Sequence, residues 1–386
     1  LHNWWGNGVY VDYERGNWSE GLTTFMADYA YKEAESEAAA EAMRLAWLRD
    51  GAAVAGEAAA SLREFRSRTG IAGATLGYGQ AAMLFQMLRD RIGVAAFAQG
   101  IREFWGAQQF KVASWQDLQV AFEHASGQQL DAFFASWLDQ RGLPEVAIVG
   151  ATSRPVDGRH RLTLRFAGDK VRPELNLPLE ISGDGRRETR WLMLPANATQ
   201  AVLSLDFAPQ RLRLDPEARV WRRLPAAQLP PILRQWMAAA TPHLVNVAEA
   251  DARAAVDRLS GRFFERPAQS LSGAALRQGV SGKAGILLAG THAEVDRALA
   301  VAGLPARPAA LAGRGTAQVW TLPAPALAVI SGQDATALAA VQRALPHYGG
   351  QSWLVFEQGR VIDKGIWPAA VPEIAVAGER GPNRAR

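Results

Sequence analysis

Apolar residues recur at three- and four-residue spacing from about Gly21 to Arg141. The stretch ADYAYKEAESEAAAEAMRLAWL joins that spacing to strong helix formers, so it predicts a helix. The same pattern predicts helices in GQAAMLFQMLRDRIG, AAFAQGIREFWGAQ, SWQDLQVAFEHASG and LDAFFASWLDQRG. Ser114 before Trp115, with Asp117 three residues on, reads as an N-cap, and Gly127 and Gly142 as C-terminal stops. Residues 1–142 are therefore expected to form a helical region.

The period changes from Leu143. RLTLRF, LPLEI, RWLML, VLSLDF and RLRLD alternate apolar and polar positions and are divided by DG, GDG and PAN turns. That predicts an antiparallel β-sandwich over residues 143–224. Beyond the proline-rich LPAAQLPP the texture alternates again. Helical PILRQWMAAA, ADARAAVDRLSGRFFE, HAEVDRALAVAG and DATALAAVQRAL are interleaved with short apolar runs such as HLVNVA, GILLAG, AQVWTL, ALAVIS and SWLVF. Continuous apolar strands between helices imply a sheet covered on both faces and partly parallel, so residues 225–375 are expected to be an α/β domain. Residues 376–386, rich in Gly, Arg and Pro, read as a disordered tail. The whole is a multidomain α+β chain.

Composition narrows the chemistry. The 386 residues include no cysteine, which removes disulfides, thiolate metal sites and cysteine nucleophiles; a metal would have to be held by His and carboxylates. Net charge is +4, and the basic residues, only five of them lysine, are interspersed with acids. With no basic run interleaved with aromatics, no nucleic-acid partner is expected. The low-charge stretch Ile71 to Leu88 reads as a buried helix and its lead-in, so no transmembrane segment is expected. The first residues show neither a basic n-region nor an apolar core of a signal peptide.

Two short blocks near the start carry the sharpest signal. His2-Asn3-Trp4-Trp5-Gly6-Asn7 and Trp18-Ser19-Glu20-Gly21-Leu22 place an imidazole and a carboxylate with seventeen residues between them. Together they resemble the zinc site of the M1 family of metallopeptidases, the gluzincin aminopeptidases, from the second histidine of H-E-x-x-H onward. The resemblance implies His2 and Glu20 as zinc ligands, with the first histidine and the general-base glutamate in sequence preceding Leu1. On that implication the chain is expected to be a C-terminal fragment that alone hydrolyses little. The spacing is one residue shorter than usual in the family, and Ser19 stands where an asparagine is common.

A third block, GYGQAAMLFQML, resembles the family's Y-x-K-G-A segment, with Gln80 and Ala81 in place of lysine and glycine. It implies Tyr78 as the hydroxyl that stabilises the oxyanion. SWQDLQVAFEHASGQQLDAFFASWLDQRGLPEV resembles the end of the same catalytic domain. The family implies a thermolysin-like helical catalytic subdomain followed by the β-sandwich, one Zn2+, and a peptide substrate cleaved at its N-terminus. The last 160 or so residues match no module by motif. The alternative is a non-catalytic protein that keeps the scaffold for binding or assembly; oligomeric state, compartment and side-chain preference are left open. In the last region His347 and Tyr348 before a glycine pair read as a turn into a buried strand, and GVSGKAG reads as a turn because it precedes a strand, whereas a phosphate loop follows one.

Overall fold

The computed structural model describes residues 1–54, 60–68, 73–225, 227–274, 276, 285–323 and 326–378. The chain divides into two compact units, Leu1–Pro225 together with the segment from Val371, and Ala226–Ala370.

The helical part of the first unit contains Ser19–Thr24, Ala30–Glu35, Glu37–Val54, Ala81–Ile92, Val94–Gln108, Trp115–Ser126 and Asp131–Asp139. Aromatic residues fill its core. Trp18 and Phe104, both fully buried, meet edge to face at 5.2 Å, and Trp5 lies 6.0 Å from Phe104. Ser114 and Asp117 form the expected reciprocal cap, Ser114 Oγ accepting from Gln116 N at 3.2 Å and Asp117 from Ser114 N at 2.8 Å. Gly127 closes that helix at φ +67°, a left-handed conformation that favours glycine. The expected single helix over 27–48 is broken at Ser36, whose backbone is extended and whose hydroxyl accepts the Ala39 amide at 3.1 Å. A serine that can cap the following helix competes with continuing the preceding one.

Two four-stranded sheets complete this unit. One runs in the order Ile374–Ala375, Arg211–Leu214, Leu175–Gly183, Arg186–Leu194; the other runs Ala377–Gly378, Val146–Val156, Arg159–Gly168, Gln200–Leu205. Alternate positions such as Leu162, Leu164 and Phe166, or Leu177, Leu179 and Ile181, are buried, as period two requires. The Val146–Val156 strand was not among the predicted runs. A bulge between Ile148 and Gly150 shifts its register and breaks the alternation. The tail needs correction too: residues 377–378, expected in a disordered segment, pair in parallel with Thr152 and Ser153, while 374–375 pair with Arg211 and Leu212. Residues 379–386 lie outside the described residues.

Glu373 fastens this return. It accepts from Arg213 at 2.7 Å and Arg211 at 3.0 Å, and those bonds hold its carboxyl below the usual carboxylate range. A depressed carboxylate contributes stability above its unfolded pKa and loses it as pH falls through the folded one, here below about pH 4. Glu373→Gln should therefore speed exchange of the Val376 amide, which donates to Gln210 O, at pH 7, and the difference should shrink as pH falls through the lowered carboxylate pKa; hydrogen exchange read by mass spectrometry checks it.

The second unit is built on a seven-stranded sheet ordered Gln269–Ser270, Pro242–Asn246, Gly285–Thr291, Ala326–Gly332, Ala317–Pro323, Trp353–Glu357, Arg360–Gly365. The first four strands are mutually parallel and the rest antiparallel. Leu244, Leu287, Ala328 and Ile330 face helices Ala250–Phe263 and Ala335–Val341, while Val245, Leu288, Val329 and Trp320 face helix His292–Ala302. Burial on both faces explains why these strands read as unbroken apolar runs. PILRQWMAAA gives only a four-residue helix, Arg234–Met237. His347 and Tyr348 sit in a short 3-10 turn, Leu345–Tyr348, ahead of the buried Trp353–Glu357 strand. GVSGKA (279–284) lies outside the described residues. No helix among the described residues is long and apolar enough to cross a membrane.

Candidate metal centre and active site

The helix bearing Glu20 starts where Asn17 holds it. The Asn17 side-chain oxygen accepts from Ser19 N at 3.0 Å and Ser19 Oγ at 2.8 Å, while its amide donates to Arg66 O at 3.0 Å. Glu20 thus lies in the first turn, where the helix dipole favours a carboxylate. Thr24 Oγ donates back to Glu20 O at 2.8 Å, and the helix then widens into a π turn over Phe25–Tyr29. Tyr78 occupies a second π turn, Thr75–Gln80, that opens directly into the Ala81–Ile92 helix. Such turns are rare and recur at functional sites, because they re-aim side chains within an otherwise regular helix.

The two helices are brought together by a missing side chain. A Cβ on Gly21 would fall 2.2 Å from Ala81 Cβ and 2.9 Å from Ala81 C, so only glycine permits this approach. Gly77 makes similar room for Phe65, whose backbone oxygen accepts from Asn17 N at 2.8 Å. Gly21→Ala would gain intrinsic helix propensity, yet the overlap with Ala81 backbone should cost about 1–3 kcal/mol. Thermal melts of the variant should show that loss, and Gly21→Ala with Ala81→Gly should recover only the part due to the Ala81 Cβ, since the contact with Ala81 C remains.

His2, Glu20 and Tyr78 converge. His2 Nε2 stands 3.5 Å from Glu20 Oε2, and His2 Nδ1 is 3.5 Å from Thr23 Oγ, so residues 20 and 23 of one helix face bracket the imidazole. Glu20 Oε2 is buried and has no hydrogen-bond partner among the described residues, although the Glu20 side chain as a whole is 23% exposed and that of His2 58%. Burial, then hydrogen bonding to Glu20 and its negative charge, push the Tyr78 phenol above its usual pKa, with Arg68 opposing them. Tyr78 is therefore a neutral donor at physiological pH.

The donor set fits part of a zinc site. A direct charge-assisted contact would close to about 2.7–2.9 Å. Two ligands each about 2.0–2.2 Å from a tetrahedral ion would instead lie about 3.3–3.6 Å apart. The 3.5 Å separation, with an orphaned carboxylate oxygen on one side of it, is compatible with the second arrangement, although ion pairs such as Arg15–Asp12 stand at the same distance. Among the described residues no group of three His, Asp or Glu is placed to hold a metal ion, so His2 and Glu20 supply two donors and no third. Asn17 and Thr23 were not singled out in the sequence, and Gly21 only as part of the block around Glu20; their roles depend on Arg66, His2 and Ala81, which are neighbours only in space.

Residues 1–137, about a third of the chain, match the model of the Peptidase family M1 domain. Curated relatives agree. The chain is 34% identical over 70 residues to aminopeptidase N of Lactococcus lactis subsp. lactis, 18% of this chain and 8% of that protein. It is 23% identical over 171 residues to the mitochondrial aminopeptidase 2 of Saccharomyces cerevisiae, 42% of this chain and 17% of that protein. With the probable aminopeptidase 1 of Sulfurisphaera tokodaii it shares 24% identity over 114 residues, 30% of this chain and 14% of that one. The chain therefore spans less than a fifth of the length of each. A crystal structure of Legionella pneumophila aminopeptidase A in complex with aspartic acid aligns at a TM-score of 0.40 and 20% identity, covering 61% of this chain and 27% of that one.

Proposed function

We propose that the first unit carries part of a zinc-dependent peptidase site of the M1 type, acting on the N-terminal residues of peptides. His2 and Glu20 are two zinc ligands on this reading; the third ligand and the general base come from sequence preceding Leu1. The observation that carries it is the pairing of His2 Nε2 with a buried, unpartnered Glu20 oxygen at 3.5 Å, beside the Tyr78 hydroxyl. Zinc, when bound, supplies Lewis acidity and lowers the pKa of a water to about 7. The chain's own residues do the rest of what is proposed here. Thr23 and Glu20 fix which imidazole nitrogen faces the metal, and the short Gly21–Ala81 approach sets Tyr78 beside them. The Tyr78 phenol keeps its proton and donates to the oxygen that gains charge as the peptide carbon becomes tetrahedral.

The test extends the polypeptide upstream through the segment equivalent to H-E-x-x-H and measures two things. Bound zinc by elemental analysis should reach one ion per chain, and aminoacyl-anilide hydrolysis should appear with it and vanish on chelation. An extended protein that holds no zinc would overturn the peptidase reading and favour the non-catalytic scaffold.

A further inference from the structure

The second unit contains a polar cavity that its core packing does not require. Strands Gly285–Thr291 and Ala326–Gly332 run in parallel, with Thr291 registered on Gly332. At their C-terminal ends lies a cavity of about 310 Å³, lined among others by His292, Asp296, Arg307, Gly313, Gln318 and Gln333. Open α/β sheets take ligands in the crevice beyond the carboxyl ends of their parallel strands. A pocket in which a few polar groups converge is the default place to seek one.

The polar groups form a directional network. The Arg307 side chain is only 10% exposed, and its guanidinium lies 4.9 Å from the centre of the Trp320 ring. It donates to Gln318 Oε1, to Ser331 Oγ at 2.8 Å and to Asp296 Oδ1 at 2.9 Å. Arginine has no acceptor, so Ser331 Oγ must accept from it. Ser331 Oγ keeps its own proton and a second lone pair, so it can donate to or accept from His292 Nδ1, 2.9 Å away. When Nδ1 accepts the Ser331 proton, Nε2 carries the ring proton, and that is the tautomer a ligand carboxylate would select. Burial and the Arg307 charge both lower the His292 pKa, in keeping with a neutral ring. The cavity thus places a buried cation beside an imidazole, and the one anion among its described lining residues is Asp296, whose side chain is 49% exposed.

We propose that this cavity binds small molecules through a carboxylate group, which takes the place of Asp296 on Arg307 and accepts a second hydrogen bond from His292 Nε2. The guanidinium fork matches a planar carboxylate. Because Asp296 is half exposed, water can replace its contact with Arg307, and a ligand carboxylate can take its place on the guanidinium. At about 30 Å³ for each water-sized group, the cavity has room for on the order of ten non-hydrogen atoms.

The experiment titrates the full chain at pH 7 with acetate, L-alanine and inorganic phosphate, read by saturation-transfer NMR and calorimetry. Acetate and L-alanine should bind saturably, and tighter binding of L-alanine than of acetate would mark amino acids as the source of the carboxylate. Arg307→Gln should abolish binding, but it also strips a buried network, so Asp296→Asn is the deciding variant. Removing the competing carboxylate from this half-exposed position should tighten acetate binding about fivefold to tenfold. Absence of saturable carboxylate binding, phosphate bound in preference to acetate, or an unchanged acetate affinity in Asp296→Asn would each overturn the proposal.

Discussion

Asp215→Ala should destabilise the first unit by about 3–5 kcal/mol, the cost of stripping one partner from a buried ion pair. Asp215 is fully buried and Arg222 is 2% exposed; Asp215 accepts from Arg222 Nε at 3.1 Å and from the Arg219 amide at 2.7 Å. Burial alone lowers the pKa of Arg222, and the Asp215 charge opposes that shift. Deleting the carboxylate takes the Nε acceptor away from a guanidinium that is out of water and also donates to Leu214 O at 3.2 Å. Urea unfolding followed by tryptophan fluorescence reads the loss, since Trp221 is buried next in the chain. Asp215→Leu combined with Arg222→Met should recover much of it, because removing both charges removes the uncompensated one. Recovery should stay incomplete, since Asp215 also satisfies backbone amides. A loss under about 1 kcal/mol would mean that Arg222 reaches water in the variant.

On the peptidase reading, Tyr78→Phe in the upstream-extended enzyme should lower kcat by about 10²–10³, or about 2.7–4 kcal/mol, the effect of removing one oxyanion donor. KM should change little, because the hydroxyl acts on charge that develops only in the transition state. The ring itself is retained, so zinc content should stay at the parent level. If kcat holds while KM rises, Tyr78 contacts the substrate without stabilising the oxyanion. A fall in zinc content would instead point to a supporting role for the phenol through Glu20, the group beside it.

What the sequence disclosed depended on the range of the interactions that fix each element. The Trp115–Ser126 helix was readable to its ends because Ser114, Asp117 and Gly127 act within a turn of it. The parallel strands of the second unit were readable because both faces are covered. The break at Ser36 was hidden in a run of strong helix formers. The strands at 374–375 and 377–378 carry no pattern of their own: each is two residues long and exists because Leu212 or Thr152 offers a free edge. The site shows the same division. His2, Glu20 and Tyr78 stood out through their flanking motifs, whereas Gly21 matters only because Ala81 is 2.2 Å from where its Cβ would be. The Arg307, Ser331 and His292 network was invisible for that reason as well, joining residues 39 and 24 positions apart.

The polypeptide leaves the first unit at Pro225 and re-enters it at Val371. The α/β unit is therefore an insertion, threaded between two stretches of its host. A cut at residue 225 would remove both outermost strands from the host's sheets and bare two edges open to self-association. Excising Ala226–Ala370 and splicing a short flexible linker in its place would keep those strands attached. Because the entropy of closing a loop rises by only about 0.6 kcal/mol per doubling of its length, the host should also keep them when the inserted unit melts first.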